Sequence, residues 1–264
     1  MEKLNLLAIA GLLAAFTLLG CAAPQQPPAF QDLGDFRVQY IHPQDPTYQQ
    51  LEQIFKDARS FEEIASSLNE VLKLPQDIDV ILAECGEENA FYNPENKSIT
   101  MCYELIGRFG NIFQNVTSSD EELGRAVLGS TLFTFFHEMG HALIDIYTLP
   151  TTGKEEDAVD QLSTLILLDA GKEGEDAVIS GAAWFYLEGA QQTNIEDLRF
   201  WDEHGLSLQR YYNTMCLVYG KDPDGHSNFV TDGYLPEDRA AQCPYEYPKI
   251  YNSWNKLLEP YLKQ

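Results

Sequence analysis

Two histidines four residues apart, with a glutamate directly after the first, stand at His137-Glu138-Met139-Gly140-His141. On a helix that spacing puts both imidazoles on one face, one turn apart. Two rings so placed can grip one metal ion, and the carboxylate of Glu138 can reach a water beside it. Zn2+ is the expected ion. Fe(II), which also suits two histidines and a carboxylate, is the alternative. The chemistry implied is attack of an activated water on a carbonyl, with Glu138 as general base.

A metal that acts on substrates needs a third protein ligand and an open position. Beyond a turn marked by Pro150 and Gly153, the chain reads Glu155-Glu156-Asp157-Ala158-Val159-Asp160. Antiparallel helices joined by that turn bring Glu156 and Asp160, at i and i+4, to face the histidines. Glu156, with the longer side chain, is the expected ligand, and Asp160 then accepts the free ring N–H of a ligating histidine. The reverse assignment, with Asp160 as ligand, stays open. Glu155 and Asp157 read as a solvated face. A tetrahedral oxyanion needs a further donor. His204, within Trp201-Asp202-Glu203-His204, has a carboxylate at hand to orient its ring, and is preferred over His226, Tyr245, Tyr247 and Arg239.

The elements that must hold these groups are legible around them. Ser118-Ser119-Asp120-Glu121-Glu122 offers cap residues and then carboxylates suited to a helix N-terminus,. That helix is expected to run to about Tyr147 and, being apolar on most sides near the histidines, to be buried. Upstream, residues 36–41 alternate as a strand, and residues 48–59 and 61–72 carry helical spacing. Ile78–Ala83 and Ser98–Cys102 read as a hairpin, with Asn89-Ala90-Phe91-Tyr92 a short extended piece between them. Further helices are expected over residues 103–114, 154–168, 173–189, 203–219 and 246–262, with a loop-rich stretch before the last. The fold class is α+β: helix-dominated, with a small sheet or hairpin ahead of the active-site helix.

Seventeen basic against 41 acidic residues leave a net charge of −24 in 264 residues. Such a surface repels phosphate backbones and excludes nucleic acid as a partner. The mostly apolar run Leu4–Leu19 fits a signal segment and is short for a membrane span. It ends in Leu18-Leu19-Gly20-Cys21, which resembles the bacterial lipobox, whose cysteine becomes a lipidated N-terminus. That likeness implies a signal peptide over residues 1–20, lipidation at Cys21 and a lipid anchor in the cell envelope. With Ala22 after the cysteine, it implies the periplasmic face of the outer membrane in a Gram-negative cell. Residues 21–34, rich in Pro and Gln, read as a tether, leaving 35–264 as a single domain. Four cysteines remain, and in an exported chain they suggest two disulfides. Nearest neighbours, Cys85–Cys102 and Cys216–Cys243, are the favoured of three pairings, each worth about 3 kcal/mol by loop entropy.

His-Glu-x-x-His followed by Glu-x-x-x-Asp on the next helix resembles the gluzincin class of zinc metallopeptidases. The resemblance implies His137, His141 and Glu156 on zinc, Glu138 as base and Asp160 behind a histidine. Asn89-Ala90-Phe91-Tyr92 is similar to the Asn-Ala-Phe-Trp edge strand of thermolysin-like enzymes, implying that Asn89 and Ala90 pair with a peptide or protein substrate. From about residue 36 onward the chain resembles a little-characterised family of bacterial metallopeptidases. Its marks are Phe136–His141, Glu155–Gln161, Asp202-Glu203-His204 and Gln209-Arg210. The expected function is a metal-dependent peptidase outside the cytoplasm. The alternative is an inactive metal-binding lipoprotein serving as a binding or assembly factor, against which the intact Glu138 counts.

Overall fold

Burial in β-strands follows position within a sheet, and here it identifies the inner strands directly. In a computed structural model that describes residues 30–192 and 194–263, Ser98–Cys102 (β4) is buried along its whole length, whereas Phe36–Tyr40 (β1) alternates,. The sheet order is β1-β2-β4-β3, with β2 at Ile78–Ala83 and β3 at Ala90–Asn93. β2 runs parallel to both β1 and β4. The expected hairpin between residues 78–83 and 98–102 is therefore corrected. The hairpin partner of β4 is β3, antiparallel to it on the outer edge.

Two helices, α1 (Pro46–Ala58) and α2 (Ser60–Val71), make the crossover from β1 to β2, as a parallel pair requires. After β4 come α3 (Tyr103–Phe113) and α4 (Asp120–Tyr147), the helix with both histidines. The Ser119 side chain accepts the Glu122 N–H at its start, and carboxylates fill the first turn,. Every residue from Phe133 to Gly140 is buried. This follows from α4 being packed by α3, by the β3–β4 edge, and by α5 (Glu155–Asp169) and α6 (Lys172–Gln191). Phe133 meets Phe185 of α6 edge-on at 5.6 Å, and Phe135 meets Phe61 of α2 at 5.4 Å,. Helices α7 (Ser207–Lys221) and α10 (Cys243–Leu258) close the far side, with short turns α8 (Asn228–Thr231) and α9 (Glu237–Ala240) between them. Among the described residues about 62% are helical and one small sheet is present, a helix-dominated α+β fold.

Both nearest-neighbour disulfides are present, Cys85–Cys102 and Cys216–Cys243. The first fastens the connection before β3 to the end of β4, and the second ties α7 to α10. Residues 1–20, Cys21 and the tether as far as residue 29 lie outside the described residues. Residues 31–264 form one compact unit. Pairing within it starts before the expected Asp35, because the Leu33 and Gly34 N–H groups both donate to the Leu74 carbonyl. Gly34 lies so close to Gln76 that a Cβ there would stand 1.9 Å from backbone carbon. No helix among the described residues is long and apolar enough to cross a membrane.

Candidate metal centre

Helix α4 presents His137 and His141 one turn apart, their ring centroids 5.0 Å from each other. Facing them, the first turn of α5 carries Glu155 and Glu156, where carboxylates suit the helix dipole,. Helices α4 and α5 touch at Gly140 and Val159: a Cβ on Gly140 would come within 2.7 Å of Val159 Cγ1. Their approach is held by Ser163, whose hydroxyl donates to the Phe133 carbonyl at 2.7 Å. Gly140→Ala is expected to cost about 1–3 kcal/mol by overpacking. It would also weaken metal uptake by pushing Glu156 off the histidines. Denaturant unfolding and a metal titration of the same variant test both parts, and wild-type values in each would contradict the account.

The two oxygens of Glu156 face three imidazoles. Oε2 lies 3.0 Å from His137 Nε2 and 2.9 Å from His204 Nε2, and Oε1 lies 3.3 Å from His141 Nε2. Yet Oε2 is buried with no donor aligned for a hydrogen bond. Ring nitrogens and carboxylate oxygens converge there, as ligand atoms do around a cation. One ligand atom from each of His137, Glu156 and His204 lies within 4.8 Å of the other two. The donor set, imidazole nitrogen and carboxylate oxygen, fits a divalent transition metal or zinc.

Behind the rings stands a layer of carboxylates. Asp160 Oδ1 is 2.7 Å from His137 Nδ1, on the ring edge away from Glu156. Asp160 in turn takes Arg210 in a two-point contact, Nε at 2.7 Å and Nη2 at 2.8 Å. The guanidinium lies over the Phe185 ring at 4.0 Å,. Burial opposes the Asp160 charge, but the Arg210 cation and the contact with His137 hold its pKa well below the usual carboxylate range,. Glu155, expected on a solvated face, is indeed 43% exposed at its side chain but also has its Oε1 2.8 Å from His141 Nδ1. An imidazole has its nitrogens on opposite edges, so consecutive carboxylates can flank one ring.

Burial pulls the His137 imidazole toward neutrality, but contacts with Asp160 and Glu156 outweigh it and raise its pKa to about 9,. In the metal-free protein His137 therefore holds a proton near neutral pH, and a metal must expel it. Zn2+ titrated calorimetrically in buffers of different ionisation enthalpy is expected to release protons near neutral pH. Affinity should climb with pH through about 9 and level off only above it, where His137 is deprotonated. Binding without proton release would contradict this. Burial also raises the Glu138 pKa, the direction that suits a group which takes and returns a proton,.

Around the centre runs a cleft of about 720 Å³, lined among others by Phe133, Trp184, Asn89 and Ala90. The Asn89 carbonyl accepts the Cys102 N–H at 3.2 Å, so alternate residues of β3 face β4. The peptide groups of Ala90 and Tyr92 consequently turn away from the sheet, and Tyr92 N–H donates to Glu138 Oε2 at 2.9 Å,. His204 enters from the connection between α6 and α7. Asp202 Oδ1 lies 3.3 Å from its Nδ1, and Lys154 donates to the carbonyls of Asp202 and His204. His226, Tyr245, Tyr247 and Arg239 do not line the cleft. His226 faces Glu175, and Arg239 pairs with Glu246. Arg210, part of a sequence mark but given no role there, is the residue that reading along the chain missed.

A family profile matches residues 40–258, most of the chain. The chain belongs to the DUF4344 family. DUF4344 is described as "Putative metallopeptidase", and the matched span contains every residue of the His–carboxylate centre. No curated protein and no solved structure matches the chain significantly.

Proposed function

We propose that this DUF4344 member is a zinc-dependent peptidase of the gluzincin type. His137, His141 and Glu156 would hold the metal, with Asp160 and Glu155 fixing the two histidine rings. The observation that carries this reading is Glu156 Oε2, buried among imidazole nitrogens with no aligned proton, one turn from an intact Glu138. When bound, zinc supplies Lewis acidity, which polarises a peptide carbonyl and acidifies water.

The chain's own residues supply the rest. An extended peptide lies along β3 and pairs with the outward peptide groups of Ala90 and with the Tyr92 carbonyl, as in strand addition. Glu138, buried and raised in pKa, accepts a proton from the attacking water at its carboxylate and passes it to the leaving amine,. His204, held at Nδ1 by Asp202, presents Nε2 toward the oxyanion,. Phe133 and Trp184 give the cleft an apolar stretch of lining for substrate side chains. The lipobox-like Leu18–Cys21 and the tether suggest an envelope protein that works outside the cytoplasm on peptides or proteins, held to the membrane by lipid.

The test is metal content and hydrolysis of a mixed quenched-fluorescent peptide library by the full-length chain. Wild type is expected to carry about one zinc and to cut. Glu156→Ala should lose both properties. Full zinc retention in Glu156→Ala would overturn the ligand assignment, and a zinc-loaded but inert wild type would favour a binding or assembly factor.

A further inference from the structure

We propose that His204 is a fourth metal ligand in the peptide-free protein, so that the centre rests closed and opens when His204 leaves. The inference rests on the metallopeptidase reading and adds a resting state to it.

Three histidines share one arrangement. Each has Nδ1 beside a carboxylate: His137 with Asp160 at 2.7 Å, His141 with Glu155 at 2.8 Å and His204 with Asp202 at 3.3 Å. Each turns Nε2 to Glu156, and His204 comes nearest, at 2.9 Å. A carboxylate on one nitrogen and an open lone pair on the other is the signature of a ligating imidazole. Apart from a group built on the Cys85–Cys102 disulfide, the ligand atoms that cluster within 4.8 Å of one another among the described residues belong to His137, Glu156 and His204. His204 also lies nearly parallel to His137, 18° between ring planes with centroids 5.9 Å apart.

The origins of the ligands say which one leaves. His137 and His141 come from α4 and Glu156 from α5, a rigid pair pinned at Gly140–Val159. His204 comes from a connection outside any helix or strand and its side chain is 39% exposed. An arriving peptide displaces it at the least structural cost. The freed ring stays beside Asp202 at Nδ1 and lines the cleft that the peptide would enter.

Zn2+ affinity by chelator competition and the visible spectrum of the Co2+ form separate a ligand from a donor. Both are measured on the full-length chain. His204→Ala should bind Zn2+ at least about tenfold more weakly and shift the Co2+ bands; Asp202→Asn should weaken binding in the same direction by less. Glu138→Gln should bind as wild type does. Circular dichroism checks the fold, and His204→Gln replaces the alanine variant if that one unfolds. Wild-type affinity and spectrum in His204→Ala, with metal lost in His137→Ala, would overturn the proposal and leave the three-ligand peptidase standing. Metal retained in both His137→Ala and Glu156→Ala would remove the metal reading and this proposal together.

Discussion

Glu138→Gln is expected to leave the chain folded and able to bind zinc while slowing peptide hydrolysis by roughly 10²–10⁴-fold, the usual share of a general base. The carboxylate is 7% exposed and its outer partner is the Tyr92 N–H at 2.9 Å. A glutamine oxygen accepts that N–H equally well, so β3 keeps its seat against α4. The amide has no affinity for a proton in the useful range, and the proton of the attacking water has nowhere to go. Zinc stoichiometry beside turnover separates this outcome from a lost site. A variant that cuts at the wild-type rate would show that the base is elsewhere.

Arg210→Met should destabilise the metal-free protein by about 3–5 kcal/mol, as expected when one partner of a buried ion pair is removed. The guanidinium spans both oxygens of Asp160, which is 8% exposed, and covers the Phe185 ring. Methionine can fill much of the volume but leaves the carboxylate with His137 as its remaining partner. Adding Asp160→Asn removes the stranded charge and should recover part of the loss, giving a double-mutant cycle in urea. A cost under about 1 kcal/mol for Arg210→Met would mean that the pair behaves like a solvated surface bridge.

Much of this centre could be read along the chain because His137, His141 and Glu156, the proposed three-ligand set, lie on two consecutive helices. Caps at Ser119 and the turn before Glu155 set the helix phases, and the i, i+4 rule then chose Glu156 and Asp160,. The same rule was incomplete at Glu155, since neighbours on a helix point different ways but a side chain in the first turn can still wrap around a ring. Arg210 was beyond reach for another reason. Its partner Asp160 lies 50 residues away, and no periodicity links them. In the sheet, turn residues between Ala83 and Ser98 suggested a hairpin. Yet β3 occupies that interval and takes the outer edge of β4, which leaves β2 beside β4 in parallel. Local turn chemistry carries no information on which neighbour a strand finally takes. The disulfides were legible because each closes a short loop inside one local unit.

The contact between Gly140 and Val159 has a consequence for ionic selectivity. It sets the distance between the helix that offers nitrogen and the helix that offers oxygen, and it does so nearly backbone to side-chain root. A spacer of that kind cannot stretch much for a larger guest. Zinc sits about 2.0–2.1 Å from imidazole nitrogen, whereas calcium wants six to eight oxygens at about 2.3–2.6 Å. In the proposed centre, the absence of a side chain at position 140 would act as a gauge of ionic radius, favouring small cations over large ones.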